Sequence, residues 1–241
     1  LCEYAEYLLN IEELSHNTIC KTLTITKTYL NRCIKHGIEV DITFQQMKMK
    51  EIKTPLRFLE QHELNRLMVL YDTGHLTTTK RNVLGAFIFC CLTSLRISDV
   101  YRANDKWIYN RHYLQFIPTK NSINNPKLVT VPLQDIAKKY INSTKGKFFT
   151  LPAEQKYNEI IKKLAYDVDI EKSVSSHFAR HTFGHLYIKW GGLLEALAEI
   201  MGHNDLETTR IYVHITRDQK REGALKMETA LLDMAKIRLV K

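Results

Sequence analysis

Residues 175–215 read SSHFARHTFGHLYIKWGGLLEALAEIMGHNDLETTRIYVHI, and within them stand His177, Arg180, His203 and Tyr212. Each of these is polar, and each can touch a phosphate oxygen. His177 and Arg180 are three residues apart, so on a helix they share a face. The Ser175-Ser176 pair ahead of them is expected to cap that helix, which would aim free backbone N–H groups at the same anion. Gly202 reads as the stop of an apolar helix over 193–201. Asn204 followed by Glu207 reads as the capping box of the next helix. His203 then falls in a tight turn, with Tyr212 about two helical turns downstream. One tyrosine, two histidines and an arginine compose a nucleophile with a clamp for phosphate.

Working outward, three segments stand in order: TSLRISDV (93–100), HFARHTFGHL (177–186) and MGHNDLETTRIYVHI (201–215). They resemble the signature boxes of the tyrosine recombinases, the phage- and transposon-type integrases. That pattern is an arginine in a "TGLRISD"-like turn, then H-x-x-R-H-T, then "LGH…TT…Y". The nine-residue interval from His203 to Tyr212 fits as well. A lone H-x-x-R is weak evidence, whereas three ordered boxes are specific. The resemblance covers roughly residues 54–220, and the part before more faintly. It implies a fold that is mainly α with a small antiparallel β-sheet, the tyrosine recombinase catalytic fold, preceded by a helical core-binding domain fragment. Two departures are visible: Ser94 stands where glycine is usual, and Ala103 with Asp105 replace a leucine and a tryptophan.

At 241 residues the chain can hold one ordinary domain and a smaller one. A net charge of +9 and a pI near 9.2 point to a polyanionic partner, although such a balance also suits ribosomal or membrane-surface proteins. The five cysteines are odd in number and irregularly spaced, with neither a disulfide framework nor a zinc pattern. A reducing cytosol is the simplest reading. No signal peptide and no apolar run long enough to span a bilayer is present. The expectation is a soluble protein of the bacterial cytoplasm, associated with the nucleoid, with no membrane partner.

The chain starts on an amphipathic run, LCEYAEYLL, without a starting Met, and so looks like a piece of a longer protein that lacks an N-terminal arm domain. A second helix is expected over 17–36, with apolar Ile19, Leu23, Tyr29, Leu30 and Cys33 at helical intervals. Basic Lys21, Lys27, Arg32 and Lys35 lie between them. Alone they would read as a solvated face, but the resemblance makes residues 1–48 part of a DNA-clasping domain and these four its DNA contacts. Residues 49–55 are the expected linker, closed by Pro55, and 56–241 the catalytic domain. Within it, 80–95 is the most apolar helix and is expected to be buried nearly all round.

Two β-like runs, 113–117 and 127–131, flank the turn-rich PTKNSINNP and predict a hairpin with a long loop. Helical patterns recur over 134–141 and 155–166, with Phe148-Phe149 expected in the core. The tail over 218–240 carries Leu225, Met227, Leu231, Leu232, Met234 and Ile237. It either packs on its own domain or, as the resemblance implies, docks on a neighbouring protomer.

Cleaving a phosphodiester needs a nucleophile, donors for the charge that builds on phosphate, and a proton for the leaving sugar oxygen. The resemblance places the first phosphate-binding arginine at Arg96, with Arg180 as the second and His203 as a third donor. Planar guanidinium groups suit that task. Tyr212 is the expected nucleophile; a phenol near pKa 10 is about one part in a thousand ionised at neutral pH, so it needs a base or a positive field. His177 fits as general base and Lys120 as general acid, with Lys127 the rival lysine. Asp99 and His181 are expected to support the site. His177, His181 and His185 fall at i, i+4 and i+8, yet the motif lacks the glutamate of the zinc-protease pattern. No metal and no cofactor are expected. Tyr187 reads as core, Tyr157 and Tyr166 as either core or nucleophile, and His214 as a group that packs or hydrogen-bonds locally.

Two classes of function remain. The first is a site-specific recombinase of a mobile element, a homo-tetramer on paired double-stranded DNA sites, helped by an accessory directionality factor. It would act through a covalent 3′-phosphotyrosyl link without metal or ATP. The second is a DNA-binding relative or accessory protein without chemistry. The filled positions Arg96, Arg180 and Tyr212 favour the first. A type IB topoisomerase is a third option, opposed by the small size and the HTFGHL and MGH wording.

Overall fold

The computed structural model describes residues 1–52, 54–121, 126–142 and 146–213, and in the tail 224–225, 227–229 and 231–232. The chain divides into two compact units, Leu1–Pro55 and Leu56–Lys241.

The first unit holds α1 (Cys2–Asn10) and α2 (His16–Lys35). Ser15 starts α2 by accepting from the Thr18 N–H. Leu8, Ile19 and Leu23 form a small core that Met47 and Met49 close. Residues 46–52 lie back along α2: the Asn17 side chain donates to the Ile52 carbonyl at 2.8 Å and accepts from its N–H at 2.9 Å. The His16 ring meets the Lys50 carbonyl at 3.0 Å. The stretch expected as a linker from residue 49 therefore starts inside this unit. Lys21, Arg32 and Lys35 are exposed on α2. Lys27 is half-buried, and its ammonium donates to the Met47 carbonyl, so this lysine fastens the unit's own backbone.

The second unit opens on α3 (Gln61–Thr73), where Glu60 and Glu63 form a capping box. Its centre is α4 (Thr78–Thr93), whose Val83, Leu84, Phe87, Ile88 and Phe89 are wholly buried. A helix apolar all round has no solvent face, and α3, α6 (Asp135–Lys138), α7 (Glu154–Tyr166) and α8 (Ser176–Lys189) surround it. A three-stranded antiparallel sheet is ordered β1 (Ile108–Tyr109), β2 (Tyr113–Phe116), β3 (Val129–Pro132). Leu114 opposite Val131 and Phe116 opposite Val129 turn inward, as the period of two requires. Against β3 packs α9 (Leu194–Met201). The single turns α5 (Ile97–Val100) and α10 (Glu207–Arg210) carry the chain past the site.

The expected mainly helical class with a small antiparallel sheet is what the structure has, and β2 with β3 is the expected hairpin. Strand β1 went unforeseen because it is two residues long and exposed. The helix foreseen over 134–141 is only Asp135–Lys138. Phe148, Phe149 and Tyr157 lie in the core, whereas Tyr166 is exposed. No helix of the described residues is long and apolar enough to cross a membrane. His214 and most of the tail fall outside the described residues.

Candidate active site

The site is built where four segments meet: the α4–α5 turn, α8, the α9–α10 turn and the turn after α10. Helix α4 ends because Ser94 takes a left-handed conformation, φ 62°, and its N–H bonds the Cys90 carbonyl. That backbone explains why glycine is usual at this place. The Ser94 carbonyl then faces α8 and accepts from Arg180 Nη1 at 2.6 Å. Arg96 follows as the N-cap residue of α5, half-buried. Among the described residues its guanidinium has no hydrogen-bond or ion-pair partner.

Asp99 is buried and does not pair with Arg96 as simple spacing allows. Its Oδ1 accepts from the Thr119 N–H and Oγ1, each at 2.8 Å. Arg102 donates to the same hydroxyl at 2.8 Å. Asp99 thereby ties down the short 3-10 turn Thr119–Asn121 that carries Lys120 after β2. Lys120 is exposed and close enough to His203 to oppose its protonation. Lys127 is exposed on the approach to β3.

On α8, Arg180 is buried and engaged on one side: Nη1 to Ser94, Nη2 to the Met201 carbonyl at 2.5 Å, and Nη2 toward His203 Nε2 at 3.0 Å. A guanidinium has five N–H donors; three are used here, which leaves two for an anion. Burial first, then the neighbouring Arg96, pull its pKa down to about 9, so it stays charged at neutral pH. Burial likewise lowers Arg96. The two guanidinium groups repel, buried Asp99 offsets part of that repulsion, and an anion between them relieves it further.

Gly202 stops α9 at φ 59°, and the His203 N–H reaches back to the Ala198 carbonyl at 2.9 Å. That turn delivers the His203 ring to Arg180. Because a guanidinium only donates, Nε2 must accept, and Nδ1–H donates to Thr209 Oγ1 at 2.8 Å. Burial, reinforced by Arg180, Arg96 and Lys120, depresses His203 to about 4. The ring is thus neutral, and in this state its Nε2 accepts from Arg180 and braces it.

Tyr212 is buried, and its ring lies on α8 at Gly184, where an added Cβ would come within 2.7–2.8 Å of three ring carbons. Its hydroxyl is 2.8 Å from His181 Nδ1. Burial pushes the phenol up to about 12 against the downward pull of Arg180 and Arg96. His177 is exposed at the start of α8 and has no hydrogen bond to Tyr212. Further along, His185 stacks on Phe58 with ring centres 3.7 Å apart. The three histidines therefore do not converge, and no group of three or more His, Cys, Asp or Glu among the described residues could hold a metal.

Two expected caps differ. Ser175 is the N-cap residue of α8 but its hydroxyl makes no cap bond; Asn158 Oδ1 on α7 takes the Ser176 N–H at 2.8 Å. The Ser176 N–H is thus satisfied from a neighbouring helix. At α10 it is Asp205, not Asn204, that accepts from the Glu207 N–H at 2.9 Å. Sequence reasoning missed Thr209, Thr119 and Gly184. All three stood inside quoted motifs, but a hydroxyl six residues from His203 has no helical spacing to reveal it, and the partners of Thr119 and Gly184 lie far away in the chain.

Residues 57–219 match the family described as "Phage integrase family". A tyrosine recombinase XerD of Halalkalibacterium halodurans is 36% identical over 70 residues, 29% of this chain and 23% of that protein. The integrase of Haemophilus phage HP1 is 26% identical over 166 residues, 68% of this chain and 45% of that protein. The chain thus spans less than half the length of either relative. A solved structure of the Tn1549 transposon integrase in complex with circular intermediate DNA shares the fold, with a TM-score of 0.69 at 19% identity over 94% of this chain and 86% of that one. With its family match spanning most of the second unit, the chain belongs to the phage integrase family.

Proposed function

We propose that the protein is a tyrosine-type site-specific DNA recombinase, the integrase of a mobile element, which cuts and rejoins strands through a 3′-phosphotyrosyl link. The observation that carries this is the pair of adjacent cations, Arg96 and Arg180, beside the buried phenol of Tyr212. Arg96 and the two remaining Arg180 donors hold the non-bridging oxygens of the scissile phosphate. His203 adds a donor once a proton shifts to Nε2, with the Thr209 hydroxyl turning from acceptor to donor. Tyr212 attacks phosphorus, and Lys120, on the turn that Asp99 secures, protonates the leaving 5′ oxygen. His177, exposed at the mouth of α8, faces the DNA.

The covalent link conserves the phosphodiester bond energy, so rejoining needs neither ATP nor metal. Double-stranded DNA is the partner, as the net charge of +9 and the DNA complex of the Tn1549 integrase support. The first unit is read as part of a core-binding domain that meets DNA through Lys21, Arg32 and Lys35, with Lys27 contributing charge from behind. The working assembly is a tetramer on paired sites, the tail docking on a neighbouring protomer. An accessory factor sets direction.

Strand transfer tests the reading. Nicked duplexes incubated in chelator without ATP are expected to be joined to a labelled acceptor strand bearing a 5′ hydroxyl. Tight binding with no joining would favour the DNA-binding relative without chemistry.

A further inference from the structure

Tyr212 and His181 come from separate elements yet meet at hydrogen-bond distance, 2.8 Å from phenol oxygen to Nδ1. The contact is built, since Gly184 leaves the space in which the ring rests and no side chain could replace that glycine without displacing it. His177 stands on the same helix but is exposed and makes no hydrogen bond to the phenol among the described residues. We propose that His181, rather than His177, accepts the Tyr212 proton as the phenol oxygen attacks the phosphate, an assignment that rests on the recombinase reading above.

The step balances. The Tyr212 O–H bond breaks and its proton passes to His181 Nδ1, giving an imidazolium with Nε2–H already in place. The phenolic electron pair forms the bond to phosphorus, and the bond from phosphorus to the 5′ oxygen breaks as that oxygen takes a proton from Lys120. The groups facing His181 are His177 and Arg180 on its own helix, Tyr212 after α10, and His203 on the α9–α10 turn. Burial first, then His177 and Arg180, hold its pKa below the ordinary histidine value, so the ring waits neutral with a lone pair free. A bound phosphate supplies the negative charge that steadies the imidazolium when it forms. Geometry meets the requirement that a base lie within direct reach of the proton it takes.

The test follows detergent-resistant adduct against pH, using the full chain and nicked duplexes randomised on one side of the nick. Wild type is expected to rise in rate as His181 loses its proton and then to level off. His181→Gln keeps a hydrogen-bonding group near the phenol but cannot take a proton. Its rate should fall about 10²–10⁴-fold and climb about tenfold per pH unit without levelling, since hydroxide must then ionise the phenol. His177→Gln should keep the levelling profile whatever its rate. Thermal unfolding of each variant checks the fold, and His181→Asn replaces the glutamine variant if that one does not fold. A levelling profile in the His181 variant, or its loss in His177→Gln alone, overturns the assignment. Absence of adduct from wild type would instead overturn the recombinase reading itself.

Discussion

Ser94 shows how one residue carries both strain and function. It holds a left-handed backbone that costs a non-glycine residue about 1–2 kcal/mol, and its buried hydroxyl has no partner among the described residues. Its carbonyl nevertheless orients Arg180. Ser94→Gly is therefore expected to raise stability by about 1 kcal/mol in denaturant unfolding with activity retained. Thr209 works in the other direction. Thr209→Val strands the His203 Nδ1–H, so folding stability should fall by about 1–3 kcal/mol. Arg96→Ala should slow adduct formation about 10²–10³-fold, as the loss of one preorganised donor does, while leaving unfolding nearly unchanged because no hydrogen bond or ion pair among the described residues involves its guanidinium. His203 gives stability a pH dependence. Its folded pKa of about 4 lies below the ordinary 6.5, so the unfolded chain binds more protons between these values. Its contribution is fully present above about pH 6.5 and declines as pH falls toward 4. A denaturation midpoint that does not fall across that window, beyond what a His203→Asn variant shows, would contradict this.

At the scale of elements, α8 is the part on which the site depends. It presents Arg180 inward, His181 to the phenol and Gly184 as the floor beneath the Tyr212 ring. Gly184→Ala is expected to push that ring off the helix, reducing adduct formation sharply while DNA affinity holds; equal losses in both would mean the helix itself had been disrupted. Much of this was legible beforehand. The apolar run of α4, the hairpin of β2 and β3, and the stop at Gly202 follow from periodicity and turn chemistry, which are local. What stayed hidden was non-local. Nothing in the spacing of His177 and His181 says which of them meets a phenol some thirty residues on. Nor does sequence show that Asn158, on another helix, takes the Ser176 N–H, or that Asp99 on α5 is engaged by Thr119 on the turn after β2. The caps failed for a similar reason: Asn204 and Asp205 are both able acceptors, and only the turn geometry after Gly202 selects Asp205.

At the scale of the molecule, a net charge of +9 on two units predicts DNA binding that weakens steeply with salt. Replacing exposed Lys21, Arg32 and Lys35 by glutamine should flatten the slope of log affinity against log salt by about 0.9 for each phosphate left without its cation. An unchanged slope would remove the first unit from the DNA interface. The tail presents Leu225, Met227, Leu231 and Leu232 to solvent, a spacing and exposure that suit an apolar partner surface. Removal of the chain after residue 223 is expected to leave cleavage of a single site and abolish assembly on paired sites. Paired assembly that survives the deletion would rule out tail docking.

A covalent bond between Tyr212 and DNA is the step on which every other role proposed for this site depends. Wild-type protein should be captured on nicked duplex in chelator, the denatured adduct digested, and the linked peptide identified by mass spectrometry. The predicted result is a single nucleotide-bearing peptide modified through its 3′ phosphate at Tyr212, and no adduct from Tyr212→Phe. An adduct on any other residue, or capture that persists in Tyr212→Phe, would contradict it.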